Sequence, residues 1–299
     1  MDRLAITSVE KSSDQQAPSK NRNTQRQEMQ ATLERMWHLD PEQFNPLRDS
    51  LQRQRLQRTL DLLSSQTKLE GKHAADLGCG SGVFSRMMRD NGSKVDAVDI
   101  AGNALKLLKQ QDITGITPIQ DCLPTTTLKD DYYDIVVCTE LIGYIPEQIY
   151  RLLFAELSRI VKSDGQVICS TALDLDTEEP LERFGYLAET EFVIDRWVLS
   201  YHRLYIRLCE FFEKPSKNIK TAKVLLPLWV TLNIIGKPVA RFLRQNQFMM
   251  NQLEKICHFI LGETGISHAL FIGHRRPMTF PLTENEMPRE MKQKRQVWE

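Results

Sequence analysis

The residues best placed to do chemistry begin at Asp76-Leu77-Gly78-Cys79-Gly80-Ser81-Gly82, between apolar Ala74 and Ala75 and a helical pattern of Val83, Phe84, Met87 and Met88. The stretch reads as strand, glycine turn and helix start. Without a Cβ, Gly78, Gly80 and Gly82 let the backbone turn tightly and let a ligand approach it closely. A nucleotide-like ligand at the edge of a sheet is the natural occupant. Roughly twenty residues on, a short strand at 95–99 ends in Asp99, whose carboxylate can accept hydrogen bonds from a ribose diol. A third strand, 116–120, ends in Asp121-Cys122, positioned for an adenine edge, and a fourth, 134–138, runs into Thr139-Glu140-Leu141. Every one of these strands carries polar residues at its C-terminal end, where open α/β sheets bind ligands.

The elements that must hold these residues follow from pattern. A helix through Ala104, Leu105, Leu107 and Leu108 joins the second strand to the third. A helix over 149–161, a turn at Lys162-Ser163-Asp164-Gly165 and a fifth strand at 166–170 come after the fourth. Residues 192–199 can form a sixth strand and 267–273 a seventh, the latter with an apolar centre at Ala269-Leu270-Phe271-Ile272. A nicotinamide enzyme would usually carry G-x-G-x-x-G, and here the third glycine falls one position early.

At this point the chain resembles the class I S-adenosylmethionine-dependent methyltransferases. DLGCGSG matches the glycine motif, KVDAVDI the acidic second strand, and PIQDCLP and YDIVVCTELIGYIPE the next two motifs, over about one hundred residues, 72–171. The resemblance implies a Rossmann-like α/β fold with a seven-stranded methyltransferase sheet, its last strand antiparallel. It also implies S-adenosylmethionine as cofactor, with Asp76, Gly78, Cys79, Gly80, Gly82, Asp99, Ile100, Asp121, Cys122 and Thr139 at its site. Ahead of the first strand, W-H-L-D-P-E-Q-F-N-P-L-R and the Arg-rich helix after it resemble the opening of ubiquinone-type O-methyltransferases. In that family an arginine here binds the methionine carboxylate; Arg58 matches best by distance to the glycine motif, Arg55 lies one turn away, and Arg48 matches by local wording.

The fourth motif departs from that family. Glu140 stands at the first acid, but Gly143-Tyr144 replaces the Glu-His that could complete a divalent-metal site, so no metal is expected. Catalysis is expected chiefly by placement of an acceptor atom in line with the methyl group. Tyr144, His202 and Glu140 are the candidates to handle the acceptor's proton. Each has a structural alternative: pocket packing for Tyr144, a surface or core histidine for His202, and a backbone hydrogen bond for Glu140.

With 299 residues, 41% of them hydrophobic, and a formal net charge of zero, the chain has material for one large core and an appended subdomain. Residues 1–30, rich in Ser, Gln, Asn and Lys, and 281–299 read as flexible tails. No signal-peptide pattern is present in the first thirty residues, which makes the cytoplasm the expected location. Six scattered cysteines without a C-x-x-C pair indicate neither a disulfide framework nor a zinc site. Residues 31–70 form an expected helical cap over the cofactor edge, interrupted by Pro41 and Pro46. The methyltransferase domain is expected at 71–202 plus 264–280, with a helical insertion at 203–263 between strands six and seven.

That insertion concentrates positive charge: residues 196–258 hold eleven Lys or Arg and three acids. Within it an apolar run at 224–235 is flanked by Lys220, Lys223, Lys237, Arg241 and Arg244. The run is too short to span a bilayer, which needs about twenty apolar residues. It suits docking at an anionic membrane surface or a lid or dimer helix; nucleic acid would use the same field, but no base-methylating motif or RNA-binding module accompanies it. The function expected is methyl transfer to a small hydrophobic or lipid-linked acceptor, such as a quinone precursor or aromatic metabolite. An RNA or protein methyltransferase and a non-catalytic cofactor-binding protein remain open.

Overall fold

The central strands are near-continuous apolar runs, a composition that is stable where both faces of a sheet are covered. The computed structural model describes residues 22–145, 149–173, 180–213 and 226–277. It forms one sheet from β1 (His73–Leu77), β2 (Lys94–Asp99), β3 (Ile116–Gln120), β4 (Tyr133–Cys138), β5 (Val161–Ala172), β6 (Phe192–Ser200) and β7 (His268–Arg275). The order is β3-β2-β1-β4-β5-β7-β6. β1 to β5 pair in parallel, and β7 runs antiparallel between β5 and β6. The seven-stranded methyltransferase sheet is therefore present, with its antiparallel last strand.

Each central strand feeds two cores through the two-residue period of a pleated strand. Ile135 and Val137 of β4, with Ile168, Leu270 and Ile272, pack under α2 (Ser50–Gln66), α3 (Val83–Asp90) and α4 (Gly102–Lys109). Val136 and Cys138, with Val167, Cys169 and Phe271, face α5 (Tyr150–Ile160) and α6 (Pro180–Glu191). Phe184 of α6 packs its ring against Trp197 and Phe271, 5.9 and 5.7 Å between centroids. No element was expected between β5 and β6, where α6 lies. Lys162 to Gly165, expected as a turn, are carried within β5 as a register jump: Tyr133 pairs with Val161, and Ile135 with Gln166.

At the N-terminus, α1 (Arg22–Leu39) is followed by a short 3-10 turn at Pro41–Phe44. Part of the expected tail, from Arg22 onward, is thus helical; its polar surface is held by contacts with the domain rather than by an apolar stripe of its own. Residues 1–21 and 281–299 of the expected tails lie outside the described residues, as do 220–225 of the basic apolar run.

The insertion consists of α7 (Arg203–Glu213), α8 (Leu226–Gln245) and α9 (Gln247–Leu261), lying between β6 and β7. Leu51 of α2, Tyr205 and Cys209 of α7, Leu243 of α8 and Met250 of α9 form a small core of its own against α2. Asn246 breaks the chain between α8 and α9, its side chain accepting the Met249 N–H at 2.9 Å as an N-cap. Where α8 crosses α7, Gly236 is buried so closely that a Cβ there would lie 2.1 Å from the Phe212 carbonyl oxygen. Backbone cannot yield as a side-chain tip can, so Gly236→Ala must part the two helices. It is expected to lose about 1 to 3 kcal/mol of stability in urea unfolding; an unchanged midpoint would mean the helices do not pack through this glycine.

Asp76, expected at the cofactor site, is buried beneath the glycine turn and accepts the Ser85 hydroxyl of α3 at 2.5 Å. It shapes the turn from below. Burial pushes its carboxyl up from 3.8 to about 6, against the opposing pull of Ser85. With the folded-state pKa above the unfolded one, the protonated carboxyl is the form folding favours. Its stabilisation is full below about pH 4 and is lost as pH rises through 6, a cost of about 3 kcal/mol. Asp76→Asn, which keeps the acceptor without the charge, should therefore gain stability relative to the parent between about pH 4 and pH 7 in urea titrations. A pH-independent difference would contradict the shift.

Candidate active site

The glycine turn carries Gly78, Gly80 and Gly82 at φ of 75°, 54° and 76°, a region where an L side chain is strained. Its fold is set by β2: the Gly78 and Cys79 N–H groups donate to the Val98 carbonyl at 2.8 and 3.0 Å. The tip of β2 then reaches back into the turn. Asp99 accepts the Gly80 N–H at 2.9 Å on one oxygen and the Ala101 N–H at 2.8 Å on the other. Burial pushes the Asp99 carboxyl up, against the two donors that favour its charged form. A carboxylate has about four acceptor positions, so after two backbone bonds Asp99 keeps capacity for a ribose diol. Together with a turn made of backbone, this acid suits the ribose-bearing cofactor that the motifs imply.

α1 lies across this edge at three points. Glu34 accepts the Gly102 and Asn103 N–H groups at 2.6 and 2.9 Å, supplying the N-terminal cap that Ala101 cannot give α4. Trp37 covers the turn so closely that a Cβ on Gly80 would meet its ring at 3.0 Å. Arg26 pairs with Asp121 at 3.4 Å. Neither Glu34 nor Trp37 was among the expected site residues, although both lie in the expected cap segment. Asp121 spends its carboxylate on its own loop as well, accepting the Thr127 N–H and hydroxyl at 2.6 and 2.7 Å and the Cys122 N–H at 2.7 Å. Ile100 and Thr139 sit half-buried at the tips of β2 and β4.

Next to the turn stands the tip of β4: a Cβ on Gly78 would lie 2.9 Å from the Leu141 side chain. Here Glu140 has a φ of 58°, uncommon for a residue other than glycine and a sign of strain of the kind that gathers at functional sites. Its backbone N–H donates to Ser170 Oγ at 3.1 Å, and the Ser170 hydroxyl donates to Glu140 Oε1 at the same distance. Because β7 is antiparallel, its first residue arrives at this same edge, placing His268 Nε2 2.5 Å from Glu140 Oε1. Arg55 of α2 donates to Glu140 Oε2 at 2.9 Å.

The charges of this cluster follow from its partners. Burial pushes the Glu140 carboxyl up, yet the Arg55 guanidinium and then His268 outweigh it and hold the group well below the usual carboxylate range. Its side chain is 37% exposed, which weakens the burial penalty and leaves a face for a ligand. Burial pulls the pKa of His268 down, more than Glu140 raises it, so the ring is neutral at pH 7. An ionised Glu140 only accepts, so the proton of the neutral ring sits on Nε2. The result is a fixed carboxylate held by three donors, Arg55, His268 and Ser170, with one open side.

The other proton-handling candidates fare differently. Tyr144, in a 3-10 turn at Ile142–Tyr144, is exposed at the rim with its ring 6.4 Å from Phe44 of the cap. His202 is fully buried, 3.4 Å from Glu254 through Nε2 without a well-aligned hydrogen bond, and burial lowers its pKa. It is a core histidine, closed to an acceptor. Arg58 also departs from expectation: its two terminal nitrogens each donate at 2.8 Å to Glu254 of α9, and one also donates to Ser200 Oγ. The insertion supplies the carboxylate for Arg58, whereas Arg55, one turn earlier, pairs with Glu140 at the tip of β4. Among the described residues no cluster of His, Cys, Asp and Glu is arranged to hold a metal ion.

A family described as "Methyltransferase domain" matches residues 48–217. The ubiquinone biosynthesis O-methyltransferase of Bordetella avium is 30% identical over 146 residues, 47% of this chain and 57% of the relative. That of Idiomarina loihiensis is 29% identical over 107 residues, 34% of this chain and 43% of the relative. The chain thus spans about half the length of the curated relatives it matches. Among solved structures, the N-methyltransferase NodS of Bradyrhizobium japonicum, in complex with S-adenosylhomocysteine, is similar at 16% identity and a TM-score of 0.49. It covers 57% of this chain and 89% of its own. A TehB-like S-adenosylmethionine-dependent methyltransferase of Corynebacterium glutamicum gives 12% identity and 0.48, covering 84% of this chain and 100% of its own. Matched over more than half its length, and with the glycine turn and acid in place, the chain belongs to the methyltransferase domain family, whose cofactor is S-adenosylmethionine.

Proposed function

We propose that the protein transfers a methyl group from S-adenosylmethionine to a small hydrophobic acceptor, an aromatic or lipid-linked compound of the quinone-precursor type. When bound, that cofactor supplies an electrophilic methyl group on a sulfonium. The observation that carries the reading is the adjacency of the glycine turn and the Glu140 tip of β4, in contact through Leu141. Relatives that make ubiquinone support the aromatic acceptor class.

The chain's own residues would then act as follows. Asp99 and the turn backbone hold the ribose end under Trp37. Glu140 is too weak a base to remove a proton from a neutral hydroxyl at its depressed pKa. Its task is to accept a hydrogen bond and orient the acceptor, a placement that can account for several orders of magnitude in rate. Arg55, His268 and Ser170 keep its carboxylate charged and aimed. Phe44 and Tyr144 give the rim an aromatic wall suited to a planar acceptor.

Asp99→Ala should weaken S-adenosylhomocysteine binding by about 1 to 3 kcal/mol in calorimetry, since ribose hydroxyls lose a buried acceptor. Unchanged affinity would remove Asp99 from the site. Glu140→Gln should leave that affinity nearly intact and lower turnover by about a hundredfold. The acceptor class is tested by incubating the protein with methyl-labelled S-adenosylmethionine and either complete or delipidated cell extract. Label in the organic fraction, lost on delipidation, is expected; label in RNA or protein would overturn the reading.

A further inference from the structure

Eight of the thirteen large hydrophobic side chains exposed among the described residues lie on α8 and α9. Single exposed apolar residues are ordinary on a soluble surface, but a concentration on two adjoining helices marks an interaction face. On α8, Ile234 (70% exposed) and Phe242 stand two turns apart on one side. On α9, Phe248, Ile256, Phe259 (91% exposed) and Ile260 follow the same helical spacing. Both helices also turn an inner face to the small core of the insertion, so these stripes are their outer faces.

Charge selects the occupant. Exposed Lys237 and Arg241 border the α8 stripe, and exposed Lys255 lies within the α9 stripe. The two helices together contain a single acid, Glu254, and it turns inward to Arg58. Arg244 is likewise directed away, to Glu213 of α7 at 2.8 Å. The outer face therefore presents apolar side chains and positive charge with no balancing carboxylate on its own helices. A second copy meeting this face by two-fold symmetry would set like charges together. An anionic lipid surface offers both an apolar interior and the opposite charge. No helix among the described residues is long and apolar enough to cross a membrane, so the contact is superficial.

We propose that the outer faces of α8 and α9 dock the protein on an anionic lipid surface. The face is joined to the candidate site by a short path: Glu254 of α9 binds Arg58, and Arg55 one turn away binds Glu140. Docking through α9 would hold the candidate site two ion pairs from the docked helix, although the contact itself does not depend on methyl transfer.

Flotation of the full chain with vesicles of phosphatidylcholine, with or without phosphatidylglycerol, tests this. Binding is expected only with phosphatidylglycerol, and it should fall as salt is raised. The triple variant Lys237→Gln, Arg241→Gln, Lys255→Gln should bind about a hundredfold more weakly, at roughly fivefold per charge. Phe242→Ser, Phe248→Ser, Phe259→Ser together should also lose binding, with thermal unfolding midpoints showing that both variants fold. Absence of binding to phosphatidylglycerol vesicles, or equal binding by parent and both variants, would overturn the proposal. So would a parent dimer in sedimentation equilibrium that the Phe-to-Ser variant dissociates.

Discussion

Two arginines one turn apart on α2 join parts of the chain that are otherwise remote. Arg55 is buried, and a buried guanidinium is tolerable only with a carboxylate beside it. Glu140 meets that demand from the tip of β4, and Glu254 meets it for Arg58 from the insertion. Residues at i and i+3 share a helix face, so satisfying both pairs sets how α2 lies over the sheet edge and where α9 lies over α2. Loss of one partner would leave an uncompensated charge inside the interface, which costs far more than a surface pair gains. The site and the insertion are thus parts of one electrostatic arrangement.

The sheet provides the complementary constraint. Parallel strands β1, β2 and β4 deliver the glycine turn, Asp99 and Glu140 to one edge, and an antiparallel β7 is what brings His268 to that edge instead of the opposite one. α1 closes the cofactor side by capping α4 through Glu34 and covering Gly80 with Trp37. The two halves of the edge meet at Leu141. A change at the turn is therefore felt at the tip of β4 with no intervening layer.

Local patterns made the sheet and the cofactor edge readable from sequence. Glycines at alternate positions and short apolar strands ending in acids depend on neighbours a few residues away, and all seven strands fell close to where expected. Features set by distant partners were not readable. Arg55 and Arg58 are alike in a helical pattern; only Glu254, nearly two hundred residues later, separates their roles. His268 was hidden for the same reason, 128 positions from Glu140. His202 could be read as a proton carrier or as a surface or core histidine, and only its burial against the insertion decides for the core. Helix α1 starts within a stretch too polar to predict its own folding, because its order comes from Glu34, Trp37 and Arg26 contacting the domain.

The most direct test of the account is amide hydrogen exchange of the full chain with and without S-adenosylhomocysteine. Binding at the edge described here predicts slowed exchange at 78–82, at 99–101 and along α1, with little change on the outer faces of α8 and α9. Failure to bind, or protection confined to the insertion, would contradict a cofactor site built on the glycine turn and Asp99.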